Sequence, residues 1–138
     1  GSVGGQLDQS SGVSAVVNYF GASDFLLRAA TQPVAATTSQ RGSFELLNGP
    51  ATGHIDMGLA RLASPAFYVD ENSPPMLTLH GLADEIVLPD QAERIAEAYE
   101  AAGRPHTLHM VPAAGHGAQA IFEGENRQAA VDFLRKNV

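Results

Sequence analysis

The 138-residue chain contains no cysteine. That removes disulfides, zinc–thiolate sites and cysteine nucleophiles from consideration, and with them any reading of redox compartment. It is poor in basic residues. Eight Lys and Arg stand against fifteen Asp and Glu, for a formal net charge of -7. A nucleic-acid partner would need a basic stripe or patch, and the sequence shows none. No apolar run approaches the roughly 20 residues a helical membrane span requires. No charged-then-apolar segment opens the chain. What is present is an ordinary apolar share, 44 %, enough for one folded domain of this length.

The local patterns alternate. Val13–Gly21, "VSAVVNYFG", is β-branched and aromatic and stops at glycine, the pattern of a buried strand. "SDFLLRAA" has a Ser/Asp start for a short helix, and "TQPVAATTSQRG" is loop. "SFELLNG" suggests a short helix ended by Gly49-Pro50. In "IDMGLARLASP", Ile55, Leu59 and Leu62 fall on one helical face before Pro65. "MLTLH", Met76 to His80, is a second strand. "DQAERIAEAYEAAG" predicts a strong helix, with Asp90 and Glu93 at capping-box spacing and Gly103 as its stop. "HTLHMV" is a third strand and "AAGHG" a tight turn. "NRQAAVDFLRKNV" is a final helix, with Ala130, Phe133 and Leu134 expected inward. Strands alternating with helices imply parallel pairing, hence an α/β fold.

In such sheets the chemistry gathers beyond the carboxyl ends of the strands. Those ends carry Asp24, Asp84 and His116. An aspartate and a histidine on adjacent strand ends can hydrogen-bond. The carboxylate then fixes the imidazole tautomer and stabilises its protonated form. Asp84 followed by His116 also has the acid-then-base chain order that follows serine in α/β-hydrolases. Asp24 is the rival acid, although Ser23-Asp24 equally starts a helix. His80 reads as a brace for its strand end, Glu85 as a surface charge and His54 as a solvated loop residue. His106 and His109, three apart in a strand, point to opposite faces and cannot share an ion. No metal or cofactor is implied.

Four blocks in this order resemble the C-terminal half of an α/β-hydrolase: "DQSSGVSAVVNYFGASDFL", "LARLASPAFYV", "PPMLTLHGLADEIVLPDQA" and "VPAAGHG". They are most similar to the bacterial esterase/lipase group that includes feruloyl-esterase-like and acetyl-esterase-like enzymes. The resemblance implies a partial α/β-hydrolase fold, with about three parallel strands that are the last three of the sheet. It also implies Asp84 as triad acid, His116 as triad base and a small ester as substrate. Prolyl-oligopeptidase-type peptidases share the Asp…His end motifs. Two departures are visible. "VLP" stands where the group has "VP" after the acid, and Ala113-Ala114 stands where a glycine usually precedes Gly-His.

The G-x-S-x-G elbow is the missing piece. "GSVGG" does not supply it, because only about ten residues separate Ser2 from the next strand and a parallel crossover needs roughly a dozen or more. Nor does it read as a phosphate cradle, since no helix follows. The expectation is therefore a chain carrying the acid and base while the nucleophile lies upstream. It would be inactive alone, and an inert self-associating module is the competing reading. A strand Val13–Phe20 without its usual neighbour would form an open edge. That predicts either a dimer through this edge or association with a nucleophile-bearing half.

Overall fold

A computed structural model describes residues 9–10, 12–32, 45–47 and 55–138. Three strands form one parallel sheet in the order β1 (Val16–Tyr19), β2 (Met76–Gly81), β3 (His106–Val111). Val16 pairs with Met76 and Met76 with His106, so the strands start together; β2 and β3 end opposite one another at Gly81 and Val111, while β1 stops at Tyr19, opposite Leu79. The helices are α1 (Phe25–Thr31), α2 (Met57–Leu62), α3 (Asp90–Ala101) and α4 (Gly124–Asn137). Short 3₁₀ turns lie at Glu45–Leu47, Pro65–Phe67 and Gln119–Phe122.

β2 is the central strand and is buried from Leu77 to Gly81, as a parallel strand covered on both faces should be. Leu77 and Leu79 point to one face, where they pack with Val111 of β3, Ala114, Ile121 and Ala130 of α4. On the other face Ile95, Ala98 and Tyr99 of α3 pack with Ala66, Val69 and Met76. A third cluster, Phe25, Leu47, Ile55 and Ala60, joins α1 to α2 away from the sheet. Fully burying Leu79, which has no exposed surface, contributes about 1.5–3 kcal/mol.

A polar ladder crosses the sheet. Asn18 Nδ2 donates to Thr78 Oγ1 (3.2 Å), and the same hydroxyl meets His106 Nε2 (3.0 Å). The His106 ring lies 5.3 Å from that of Tyr99. Burial lowers the pKa of His106 from its usual value, so the neutral ring is the favoured form.

Several sequence expectations change. The first strand is shorter than Val13–Gly21, because Val13 is 62 % exposed and Gly21 lies in the turn beyond. Leu59 and Leu62 are exposed; Ala60 is the α2 residue that is buried, and the cap is Asp56, whose carboxylate accepts from Leu59 N. Leu134 is also exposed, although Ala130 is buried and Phe133 packs on the core as expected. Asp90 caps nothing: Pro89 occupies the cap position of α3, and the Asp90 carboxylate instead accepts from Thr31 Oγ1 at 2.6 Å. The expected 43–49 helix is a single 3₁₀ turn within the described residues. Gly49-Pro50, His54 and "GSVGG" lie outside them.

Candidate active site

The site forms where β2 and β3 end. After β2 the chain turns sharply, and Gly81 is required there by space. A Cβ on Gly81 would stand 2.1 Å from the Ala114 carbonyl oxygen. That close approach lets Ala83 N donate to Ala114 O (3.0 Å), which ties the turn after β2 to the turn after β3. The next residue after Ala83 is Asp84 and the second after Ala114 is His116, so the glycine sets their separation.

Asp84 is 2 % exposed. Its Oδ1 accepts from Ile86 N and Val87 N, both at 2.9 Å. Its Oδ2 accepts from His116 Nδ1 at 2.8 Å. Three bonds to the anionic form are what a buried carboxylate needs. The His116 side chain is 33 % exposed. With Nδ1 donating to Asp84, Nε2 is the nitrogen left for exchange with a reacting group. Phe20 packs edge-on against the imidazole, with centroids 4.7 Å apart, and Phe122 lies against Phe20 and Tyr19. Phe20 has φ 40°, a conformation that costs an aromatic residue on the order of 1–3 kcal/mol. The strain puts its ring on His116 while its N–H still donates to Leu79 O (2.9 Å).

The acid loop is braced from two sides. His80, wholly buried, donates from Nε2 to Val87 O (2.8 Å), with Asp84 Oδ2 3.4 Å from the same nitrogen. A carbonyl can only accept, so Nε2 carries the proton; Nδ1 is buried without a partner. From α1, Arg28 Nη2 donates to Ile86 O (2.8 Å), and Gln32 Nε2 to Ile86 O (3.0 Å) and Glu85 O (3.3 Å). Burial pulls the Arg28 pKa down from its ordinary value, while the charges of Asp84 and Asp90 oppose the shift.

The structure thus brings Asp84 and His116 together and makes His80 a brace, as the sequence suggested. Asp24, the rival acid, has its carboxylate engaged elsewhere. Its Oδ1 caps α1 through Leu26 N and Leu27 N (both 3.0 Å), and Oδ2 takes Arg94 Nε (3.0 Å). Glu85 is exposed, and its carbonyl rather than its carboxylate is used. Among the described residues the buried serines, Ser23 and Ser64, are structural: Ser23 Oγ donates to Gln91 O and Ser64 Oγ to Ala60 O. Sequence reading missed Phe20, Arg28, Gln32 and Gln91. Gln91 Oε1 accepts from both Ser23 N and Asp24 N. Among the described residues no group of three or more His, Asp or Glu gathers to hold a metal, and no helix is long and apolar enough to cross a membrane.

Residues 2–99 match the sequence profile of the BD-FAE family. The chain belongs to the BD-FAE family. The family match includes Asp84 and ends before His116. Among solved structures, a truncated carbohydrate esterase from gut microbiota is 29 % identical, with a TM-score of 0.73. The alignment covers 99 % of this chain and 47 % of that one. A bifunctional GH43-CE protein of Bacteroides eggerthii is also 29 % identical, with a TM-score of 0.71, covering 100 % of this chain and 18 % of that one. A puromycin-hydrolysing peptidase of Mycobacterium tuberculosis is 28 % identical, with a TM-score of 0.60 and coverage of 76 % and 15 %. No curated protein matches. This BD-FAE member therefore adopts part of an α/β-hydrolase fold, and it spans about half the length of the first of these relatives or less.

Proposed function

We propose that this chain is the C-terminal, acid–base portion of a serine carboxylic-ester hydrolase. The observation that carries the reading is the 2.8 Å Asp84 Oδ2–His116 Nδ1 hydrogen bond, made by a buried carboxylate to a partly exposed imidazole. Asp84 holds His116 in the tautomer that presents Nε2. His116 takes the proton of a serine hydroxyl as that oxygen attacks the ester carbonyl, then returns it to the leaving alcohol; backbone N–H groups hold the oxyanion. The serine and the oxyanion donors come from a segment outside these 138 residues. The coverage of the first related structure, 47 %, supports that division. A small ester is the substrate, and the relative described as a carbohydrate esterase favours a sugar ester over a peptide.

The assembly reading follows from β1, which pairs only with β2 among the described residues. A cavity of about 220 Å³ beside it is lined by residues that include Val16, Val17, Tyr19 and Met76 together with Asn18 and Ser23. An open apolar strand edge is a template for another chain, and the nucleophile-bearing segment is its proposed occupant. A second copy of this chain is the alternative outcome.

Hydrolysis of p-nitrophenyl acetate tests the catalytic reading. The chain alone should be no faster than free imidazole. A protein extended upstream to include a G-x-S-x-G, roughly 20 to 40 residues before Gly1, should show phosphonate-sensitive turnover. That turnover should fall on the order of 10³-fold or more in His116→Ala and Asp84→Asn. A phosphonate-labelled serine within residues 1–138, or full turnover in either variant, overturns the reading. Light scattering with mass spectrometry tests assembly. A folded monomer with no companion chain, unchanged by adding the upstream segment, excludes the proposed edge pairing.

A further inference from the structure

Arg28 stands 6 % exposed at the middle of α1, one helical turn before Gln32, which is equally buried. Neither touches His116. Both reach the backbone of the acid loop, and the peptide groups they reach are the ones that matter. The carbonyl of Ile86 and the N–H of Val87 belong to one peptide unit. The carbonyl of Glu85 and the N–H of Ile86 belong to the one before it. Arg28 donates to Ile86 O while Val87 N donates to Asp84 Oδ1. Gln32 donates to Glu85 O while Ile86 N donates to Asp84 Oδ1. Each N–H that holds the Asp84 carboxylate therefore sits on a peptide whose oxygen is held from α1.

This arrangement has an electrostatic consequence. A donor on a carbonyl polarises its peptide and strengthens the N–H at the other end. In the first relay the donor is a full positive charge, and charge-assisted bonds are the stronger class. A buried cation and a buried carboxylate are each costly alone; here they are coupled through one amide rather than by a direct bridge. Burial lowers the arginine's pKa, and the charge of Asp84 acts in the opposite direction.

We propose that Arg28, assisted by Gln32, is a positioning residue for the acid–base pair, acting on Asp84 through the 86–87 and 85–86 peptides. The proposal rests on the assignment of Asp84 as triad acid. It predicts that Arg28 matters to turnover only while Asp84 is a carboxylate.

A double-mutant cycle in the serine-bearing protein tests it. Arg28→Gln should lower kcat roughly 10- to 100-fold with KM within about twofold, the scale of a misplaced catalytic group. In an Asp84→Asn background the same change should cost less than about twofold. Arg28→Lys, which restores charge without the fork, should recover part of the loss. In the 138-residue chain the downfield His116 Nδ1 proton should be present in the parent and move upfield in Arg28→Gln. If Arg28→Gln does not fold, Gln32→Leu takes its place, with a smaller loss of kcat and a smaller shift in the same direction. Equal losses in the parent and the Asp84→Asn backgrounds, or an unmoved His116 proton in a folded variant, overturn the proposal. Full activity of Asp84→Asn by itself instead overturns the triad assignment, which separates the two failures.

Discussion

Gly81→Ala is the substitution that should couple stability to the site most directly. The added Cβ would lie 2.1 Å from Ala114 O and 2.7 Å from Ala114 C. Ordinary carbon–oxygen contact begins near about 3.3 Å, so the turn after β3 must retreat by roughly 1 Å. Both atoms it meets first are backbone, so no side-chain rotation relieves the overlap. The Ala83 N–Ala114 O bond, now 3.0 Å, would open. Its net loss is about 1 kcal/mol and the overpacking about 1–3 kcal/mol, together about 2–4 kcal/mol. In urea, with a slope of about 2 kcal/mol per molar, the unfolding midpoint should drop by about 1–2 M with the slope unchanged. His116 rides on the same turn, so the downfield Nδ1 proton should weaken in the folded variant. A midpoint shift below about 0.3 M, with that proton intact, would refute the reasoning.

Three further outcomes are expected. Asp24→Ala removes the α1 cap and should cost about 0.5–2 kcal/mol, read by chemical denaturation. Esterolysis by the serine-bearing protein should stay within a few-fold of the parent; a loss as large as that of Asp84→Asn would make Asp24 the acid after all. Ala113 has φ 57°, so Ala113→Gly should raise stability by up to about 1 kcal/mol, seen as a higher thermal midpoint. A folded-state pKa below the unfolded value means that His106 contributes stability above the unfolded pKa, lost as pH falls through the folded one. Stability should therefore decline on acidification across the histidine range, and His106→Gln should flatten that decline, as urea titrations at several pH values would register.

The sequence announced the β2–α3–β3 portion well, because each element there carries a strong local signal. "MLTLH" is a continuous apolar run, α3 has a clean helical face, and Gly81 and Gly117 punctuate the strand ends. The Asp84–His116 pair was legible for the same reason: parallel strands fix where their ends lie. The α1–α2 region was read less well. Leu59 and Leu62 match a buried face in spacing, yet α2 buries Ala60, since spacing reports periodicity and not which neighbours are available. Arg28 gives no sign of burial because a charged residue on a short helix ordinarily faces water, and Gln32 gives none because it falls in a stretch that reads as loop. Only the tertiary placement of α1 beside the acid loop turns them inward. Phe20 was hidden for another reason: nothing in "NYFG" marks a positive φ on the aromatic rather than on the glycine beside it. At Ala113 the signal was present, since the expected glycine falls where the backbone adopts a left-handed φ.

Asp84 and His116 are 32 residues apart, whereas Arg28 is 58 residues from the carbonyl it holds. Both members of the pair lie within one strand–helix–strand excursion, closed by a short loop in entropic terms, and loop-closure cost rises with length. Closure of that excursion should bring the carboxylate and imidazole into register, whereas docking of α1 involves a more distant part of the chain. The assembly of the pair and its bracing from α1 should then be separable in time, the first a matter of local chain closure and the second of long-range docking. In hydrogen exchange the amides of β2 and β3 should open as one cooperative unit, with those of Ile86 and Val87 gaining their full protection only when α1 is in place.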